Sequence, residues 1–349
     1  MKKTILITLA VGGALALLLA ILLFLGPTYT ANWDTEPVRI NIPQDCTYDD
    51  LRDTLDAHEV VIRKTPAAIV FDLEARAVGL TKHVRPGSYL VPRNMEMHAF
   101  VRKLRNGQQD PIRLTIGKFR TPGQLNHYLD TKLMHNDFQV PLDSFHLVLQ
   151  DTYEVYWTIT PEQFMQRMEK ESAAYWQQTV DSGECVVGST CPRMLSTTHY
   201  PLPTINYPLP TTRDVVILAS IVEEETNNAA EKPLIASVYL NRLKRGMPLQ
   251  ADPTVKYAVG DFTLRRILNR HLATESPFNT YLHTGLPPAP ICLPSKATIR
   301  AVLNAPQTDY LYFCASDRMD GTHRFAATLA EHNRNAAAFH RALDTHGIR

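Results

Sequence analysis

The sequence predicts an α+β protein, and three observations carry that prediction. A strand pattern followed by a helix pattern occurs twice, in "VRINIP" with "CTYDDLRDTLDAHEV" and in "PIRLTI" with "TPGQLNHYLDTKL". Residues 213–246, "RDVVILASIVEEETNNAAEKPLIASVYLNRLKRG", read as two helices joined by an Asn-rich turn. Near the end, "DYLYFCAS" and "THRFAA" flank Asp320-Gly321 as hairpin strands flank their turn. The chain has 349 residues, enough for two domains of roughly 100–200 residues. Lys plus Arg (36) balance Asp plus Glu (35), so no global field draws the chain to nucleic acid, and a charged substrate must be met locally.

The first element is an apolar run with no charge from Thr4 through Gly26, behind Lys2 and Lys3. It reaches the about 20 residues that span a bilayer and exceeds the about 7–15 of a signal-peptide core. Residues 4–26 therefore read as a single transmembrane helix, although Ala31 after Thr30 leaves cleavage open. The flanking lysines favour the cytoplasm, so residues from about 30 onward fall on the extracytoplasmic side of the inner membrane. In that oxidising compartment Cys185 and Cys191, the ends of "CVVGSTC", could bridge. Five cysteines leave one over, and Cys292 and Cys314 read as small buried apolar residues. No ligand cluster suggests a metal, and no cofactor is expected.

Beyond the membrane segment, Thr47 and Asp50 have the spacing that opens a helix. "AIVFDLEARAVG" reads equally as helix or strand. In "RPGSYLVP", Pro86-Gly87 marks a turn across which Ser88–Val91 can pair. "NMEMHAFVRKLRNG" is a helix closed by Gly107, with Lys103 and Arg105 suiting its C-terminal dipole. A small α+β module thus covers 30–108, and a larger α+β domain with a helical core covers 109–349. Thr160, Pro161 and Gln163 cap a long helix through "TPEQFMQRMEKESAAYWQQTV". Residues 182–213, rich in Ser, Thr and Pro, read as a surface loop or insertion. A final amphipathic helix runs from about Leu329 to His346.

"SIVEEET" (220–226) poses the chemical question, because its three glutamates turn in different directions. With Val215 at zero, Leu218 lies about −60° and Ile221 about −120° around the axis, and Glu225 at about −80° falls between them. Glu223 at about +80° points away, and Glu224 at about 180° sits at the far edge of the apolar arc. Glu225 alone is aimed at apolar surroundings, where the charged form is penalised and a proton is held near neutrality, as a glycosidic general acid requires. The pattern leaves open that the helix frays after Val222 and Glu225 reaches water. Gln250, Asp252 and Tyr257, around a proline turn, and Asn279 and Tyr281 offer amides, hydroxyls and rings suited to sugar. The same residues are ordinary turn chemistry.

"LASIVEEET", "ASVYLNRLKRGMPLQADPTVKYAVG", "FNTYLHTGLPPAPI" and "YLYF", in that order, resemble the YceG-like family. The resemblance extends over most of the chain beyond residue 30 and is strongest from 213 to 335. It implies a LysM-like module within 30–108 and a transglycosylase domain after it. The family's Ser-Ile-(Ile/Val)-Glu-Lys-Glu-Thr motif places its catalytic second acid on Glu225 and its first on Glu223, with Glu224 replacing the lysine as a like charge beside Glu225. Leu249, Gln250, Asp252, Pro253, Thr254 and Val255 follow a second motif, Phe278, Asn279, Thr280 and Tyr281 a third, and 285–288 keep Gly-Leu-Pro-Pro. The chain departs from the family at "LQDTY", where Asp151, Thr152 and Tyr153 remain, and in the loop carrying Cys185 and Cys191.

The activity implied is endolytic peptidoglycan lytic transglycosylation. The β-1,4 bond between N-acetylmuramic acid and N-acetylglucosamine would be cut without water, leaving 1,6-anhydro ends on nascent strands. Glu225 would be the catalytic residue, with Glu223, Gln250, Asp252, Tyr257, Asn279 and Tyr281 meeting or positioning substrate. Peptidoglycan strands and wall-synthesis polymerases would be the partners. A non-catalytic wall-binding scaffold and a muramidase-type hydrolase using the same glutamate are the alternatives.

Overall fold

The computed structural model describes residues 29–30, 36–181, 209, 211–264 and 266–345. The expected transmembrane run 4–26, the Cys185–Cys191 loop and most of 182–213 lie outside them. No helix among the described residues is long and apolar enough to cross a membrane. The fold is mixed α+β, with many helices and three two-stranded sheets among those residues.

The chain forms two compact units. Of the described residues, the first comprises those through Leu114 together with Lys132–Asn136 and Tyr153–Ile159. Strand β1 (Val38–Ile42) alternates, burying Ile40 and Ile42 and exposing Arg39 and Asn41, as a sheet with one wet face requires. It pairs antiparallel with β2 (Gly87–Val91), from Val38 opposite Val91 to Ile42 opposite Gly87. Residues 88–91 thus find their partner some fifty residues back, not across the Pro86-Gly87 turn as the local pattern suggested.

Helix α1 (Tyr48–Ala57) opens on the Thr47–Asp50 capping box. The ambiguous segment is helix α2 (Pro66–Ala77). Thr65 caps it and Pro66 fills its first turn, while Ala68, Phe71 and Ala75 bury one face at helical spacing. Helix α3 (Met97–Asn106) buries Met97, Phe100, Val101 and Leu104. It ends at Gly107, whose φ of 66° is the left-handed value that glycine adopts without penalty. These helices close one apolar core with the sheet, centred on Leu51, Phe71, Tyr89 and Phe100.

Strand β3 (Ile112–Ile116) pairs with β4 (Asp151–Val155) in the second sheet. Strand β4 holds the "DTY" of the family motif and had no signal of its own beyond that resemblance. Helix α4 (Pro122–Lys132) follows β3, and α5 (Pro161–Asp181) is capped by Thr160 and Gln163 as expected.

The second unit is built around helix α6 (Thr212–Glu225). Nine of its residues are buried, from Thr212 to Val222, so it is covered almost all round. It packs against α7 (Lys232–Lys244), α8 (Asp252–Val259) and α10 (Lys296–Leu303). The "ADPTVKYAV" stretch, read as a proline turn, is the helix α8, with Pro253 in its first turn where a missing N–H costs nothing. A short helix α9 (Asn269–Leu272) follows it, and the hairpin of β5 (Tyr312–Ala315) and β6 (His323–Ala326) packs on the closing helix α11 (Leu329–Thr345). Cys292 is buried with its thiol directed at the Ser220 carbonyl, but Cys314, on β5, is only half-buried, contrary to its reading as a core residue.

Candidate active site

The geometry of the site begins at the start of α6. Thr211 accepts from the Asp214 N–H and Asp214 accepts from the Thr211 N–H, which fixes the helix register fourteen residues before the acid. The helix runs through Glu225 and ends at an extended Thr226, so it does not fray after Val222. Buried Ser220 donates to the Ile217 carbonyl and accepts from the Ile291 N–H at 3.0 Å, pinning the Pro-rich 285–291 stretch to the helix.

Glu225 faces a cleft of about 290 Å3. The residue as a whole is half-buried. The Tyr239 hydroxyl donates to Glu225 Oε1 at 2.5 Å. Burial pushes the carboxyl up to about 7, against the pull of the Tyr239 hydrogen bond, and the Asp252 charge pushes the same way as burial. Glu224 adds to that rise, as its like charge suggested, but it acts less than Asp252.

Tyr239 and Arg242 stand three apart on α7 and so share a face. Tyr239 is fully buried, with its ring edge-on to Phe313 at 5.9 Å. Arg242 is buried too, and its guanidinium donates to the carbonyls of Leu311, Pro248 and Leu249 and to Gln250 Oε1. That places a cation in the wall of the cleft. Burial lowers its pKa, which nonetheless starts from so high a value that the charge stays. His332 of α11 also lines the cleft. It stacks on Tyr312, and burial followed by the Arg242 charge holds its pKa below the ordinary value.

Of the residues named from sequence, Gln250, Asp252 and Tyr281 line this cleft with Glu225. The Tyr281 hydroxyl donates to Asp252 Oδ1 at 2.7 Å, and Gln250 is held at a φ of 52°. Asn279 and Tyr257 do not line it. Asn279 is fully buried, its amide donating to the carbonyls of Leu272 and Thr274 and its oxygen accepting from the Tyr281 N–H. It shapes the loop that presents Tyr281. Tyr257 packs on Phe278 at 4.6 Å and on Phe262 at 6.2 Å.

The expectation that only Glu225 turns inward needs correction for the other two acids. Glu223 has a side chain 13% exposed, and it accepts from Lys232 at 2.9 Å, from Ser295 at 3.1 Å and from Thr298. Burial pushes Glu223 up, but the hydrogen bonds from Thr298 and Lys232 outweigh it and hold the carboxyl below its ordinary range. Glu224, 15% exposed, is met by Lys118 at 2.7 Å and Arg120 at 3.0 Å. A helical wheel assumes one buried side, whereas α6 is enclosed by several elements.

Two consequences are measurable. Tyr239→Phe removes a hydrogen bond that favours the ionised acid, so the Glu225 pKa rises and any activity dependent on it shifts to higher pH. The rate falls by roughly tenfold or more, since a hydrogen bond to a charged group is worth about 1.5–3 kcal/mol. A pH–rate profile checks both, and an unmoved profile would refute the coupling. Asn279→Ala leaves two carbonyls and an N–H without their partner and should cost about 3 kcal/mol in urea unfolding.

The YceG-like family model matches residues 40–338. A Bacillus subtilis (strain 168) protein named endolytic murein transglycosylase is 29% identical over 307 residues, covering 85% of this chain and 83% of the relative. A Streptococcus pneumoniae protein of the same name is 36% identical over 131 residues, which is 36% of this chain and 24% of that relative. A solved structure of a YceG-like protein from Listeria monocytogenes aligns at a TM-score of 0.45 and 22% identity, over 86% of this chain and 99% of that one. With the family model matched across most of its length, the chain belongs to the YceG-like family.

Proposed function

We propose that the chain is an endolytic peptidoglycan lytic transglycosylase, a lyase with Glu225 as its single acid–base residue. The observation that carries this is a carboxyl whose burial raises it to about 7 in a cleft where polar groups converge. The names of the relatives support the substrate class.

In this reading, protonated Glu225 gives its proton to the glycosidic oxygen as the bond from muramyl C1 breaks. The resulting carboxylate then takes the proton of the muramyl 6-hydroxyl while that oxygen closes on C1. The acid is regenerated and no water is consumed, unlike the two-carboxyl route of ordinary glycosidases. Tyr239 holds the carboxyl in place through both transfers. Gln250, Asp252 and Tyr281 are positioned to meet sugar substituents. Residues 4–26 anchor the chain in the inner membrane, with a LysM-like module within 30–108 on the extracytoplasmic side. The enzyme then acts on nascent strands near the polymerases that make them and ends their growth.

One feature favours a hydrolytic variant. Asp252 is a second carboxyl in the same cleft and could activate water. Incubation of the full chain with purified peptidoglycan, followed by mass spectrometry, decides. Anhydro ends support transglycosylation and reducing ends hydrolysis, while no soluble product points to a binding scaffold.

A further inference from the structure

We propose that a cleft of the first unit, formed by Tyr48, Arg52, Arg63, Lys64, Asp72 and Arg76, binds a peptide through a free carboxylate. The cleft measures about 550 Å3 and contains none of the residues around Glu225. That volume falls in the range of roughly 300–1,000 Å3 typical of small-ligand sites.

Arg52 carries the argument. It is only 7% exposed, and its guanidinium lies 5.3 Å from the Phe71 ring centre. Its Nε forms an ion pair with Asp72 Oδ1 at 3.1 Å, the oxygen that accepts from the Tyr48 hydroxyl at 2.7 Å. Its Nη1 is buried and has no hydrogen-bond partner among the described residues. A guanidinium N–H without an acceptor is costly, and because Nη1 has almost no accessible surface at rest, a ligand oxyanion reaches it when the side chain turns toward the cleft.

The rest of the lining fits the same ligand. Arg63, Lys64 and Arg76 are exposed cations at the rim, although Arg63 also pairs with Asp53 outside the cleft. Asp49 and Asp72 oppose them. Four cationic side chains against two carboxylates attract an anion. The two carboxylates repel a compact dianion such as phosphate, yet offer a partner to an ammonium group. A short peptide with one free carboxylate and one amine satisfies both requirements. The proposal rests on the transglycosylase reading only for its choice of peptide, since the stems of peptidoglycan carry such groups.

Isothermal titration of the full chain in neutral detergent tests this, with Nα-acetyl-L-lysyl-D-alanyl-D-alanine, its C-terminal amide and inorganic phosphate as probes. The acid should bind saturably and the amide about tenfold or more weaker, the loss of one charged hydrogen bond. Arg76→Ala and Lys64→Ala, at exposed positions, should each weaken the acid several-fold without changing the unfolding midpoint, while Glu225→Gln should not weaken it. Equal binding of acid and amide, binding of neither, saturation by phosphate alone, or Arg76→Ala and Lys64→Ala both binding as the parent does would each overturn the proposal. Because binding is read without turnover, a chain that cuts no glycan can still pass, and a chain that cuts glycan can still fail.

Discussion

Glu225→Gln is expected to remove strand cleavage, with a loss of at least about 10²–10⁴-fold, the usual contribution of a positioned acid–base group. Glutamine keeps the shape and can still accept from Tyr239, so folding is preserved while the proton is lost. Glu224→Gln is expected to leave turnover in place, because Glu224 is turned toward Lys118 and Arg120. Product release from labelled peptidoglycan measures both. If the Glu225 variant cuts as fast as the parent, the acid lies elsewhere.

The same substitution carries a stability signature that needs no substrate. The folded carboxyl titrates at about 7 and an unfolded one at about 4.3, so between those values the folded state keeps a proton that the unfolded chain has released. Stability contributed by this group is full below about pH 4.3, falls as pH rises and levels out above about 7. The total is on the order of 3 kcal/mol. Glu225→Gln should therefore be more stable than the parent at pH 8 and equal to it at pH 4. Urea unfolding at the two values checks the sign.

Lys232→Met is expected to have the largest effect on stability, about 3–5 kcal/mol, since it strands a carboxylate among buried groups. Glu223 and Lys232 are each 13% exposed, and only Ser295 and Thr298 would remain on the acid. Pairing the change with Glu223→Gln should recover much of the loss, as a double-mutant cycle shows when two partners are coupled. Because Glu223 is held below its ordinary pKa, its contribution is present above about pH 4.3 and is lost as pH falls through the lower folded value. A double variant destabilised by the sum of the two single changes would show that the pair is not coupled.

Much of this architecture was legible in the residues because local signals agreed with tertiary packing. Thr47 with Asp50, Thr160 with Gln163 and Gly107 each sit where a helix begins or ends, and those contacts lie within a few residues. The direction of Glu225 was legible for the same reason, since it depends only on helical rotation. Other features depend on partners far away in sequence. Glu223 pointed away on a wheel and Glu224 sat at the edge of the apolar arc because nothing local reveals that α10 and the Lys118–Arg120 segment cover those faces. Nothing local in the sequence marks Tyr239 or Arg242 for a part in the site. Only the fold brings one to the acid and the other onto carbonyls about seventy and six residues away. Asn279 looked like a sugar ligand, but both ends of its amide are spent on backbone.

The last turn of α6 has a mechanical consequence. Three consecutive carboxyls are gripped from three sides: Glu223 by Lys232, Ser295 and Thr298, Glu224 by Lys118 and Arg120, and Glu225 by Tyr239. No roll or slide of the helix can loosen one grip without wrenching the other two, much as a splined shaft cannot turn in its socket. A single alanine inserted between Val216 and Ile217 would swing the whole trio by about 100° and unseat every clasp together.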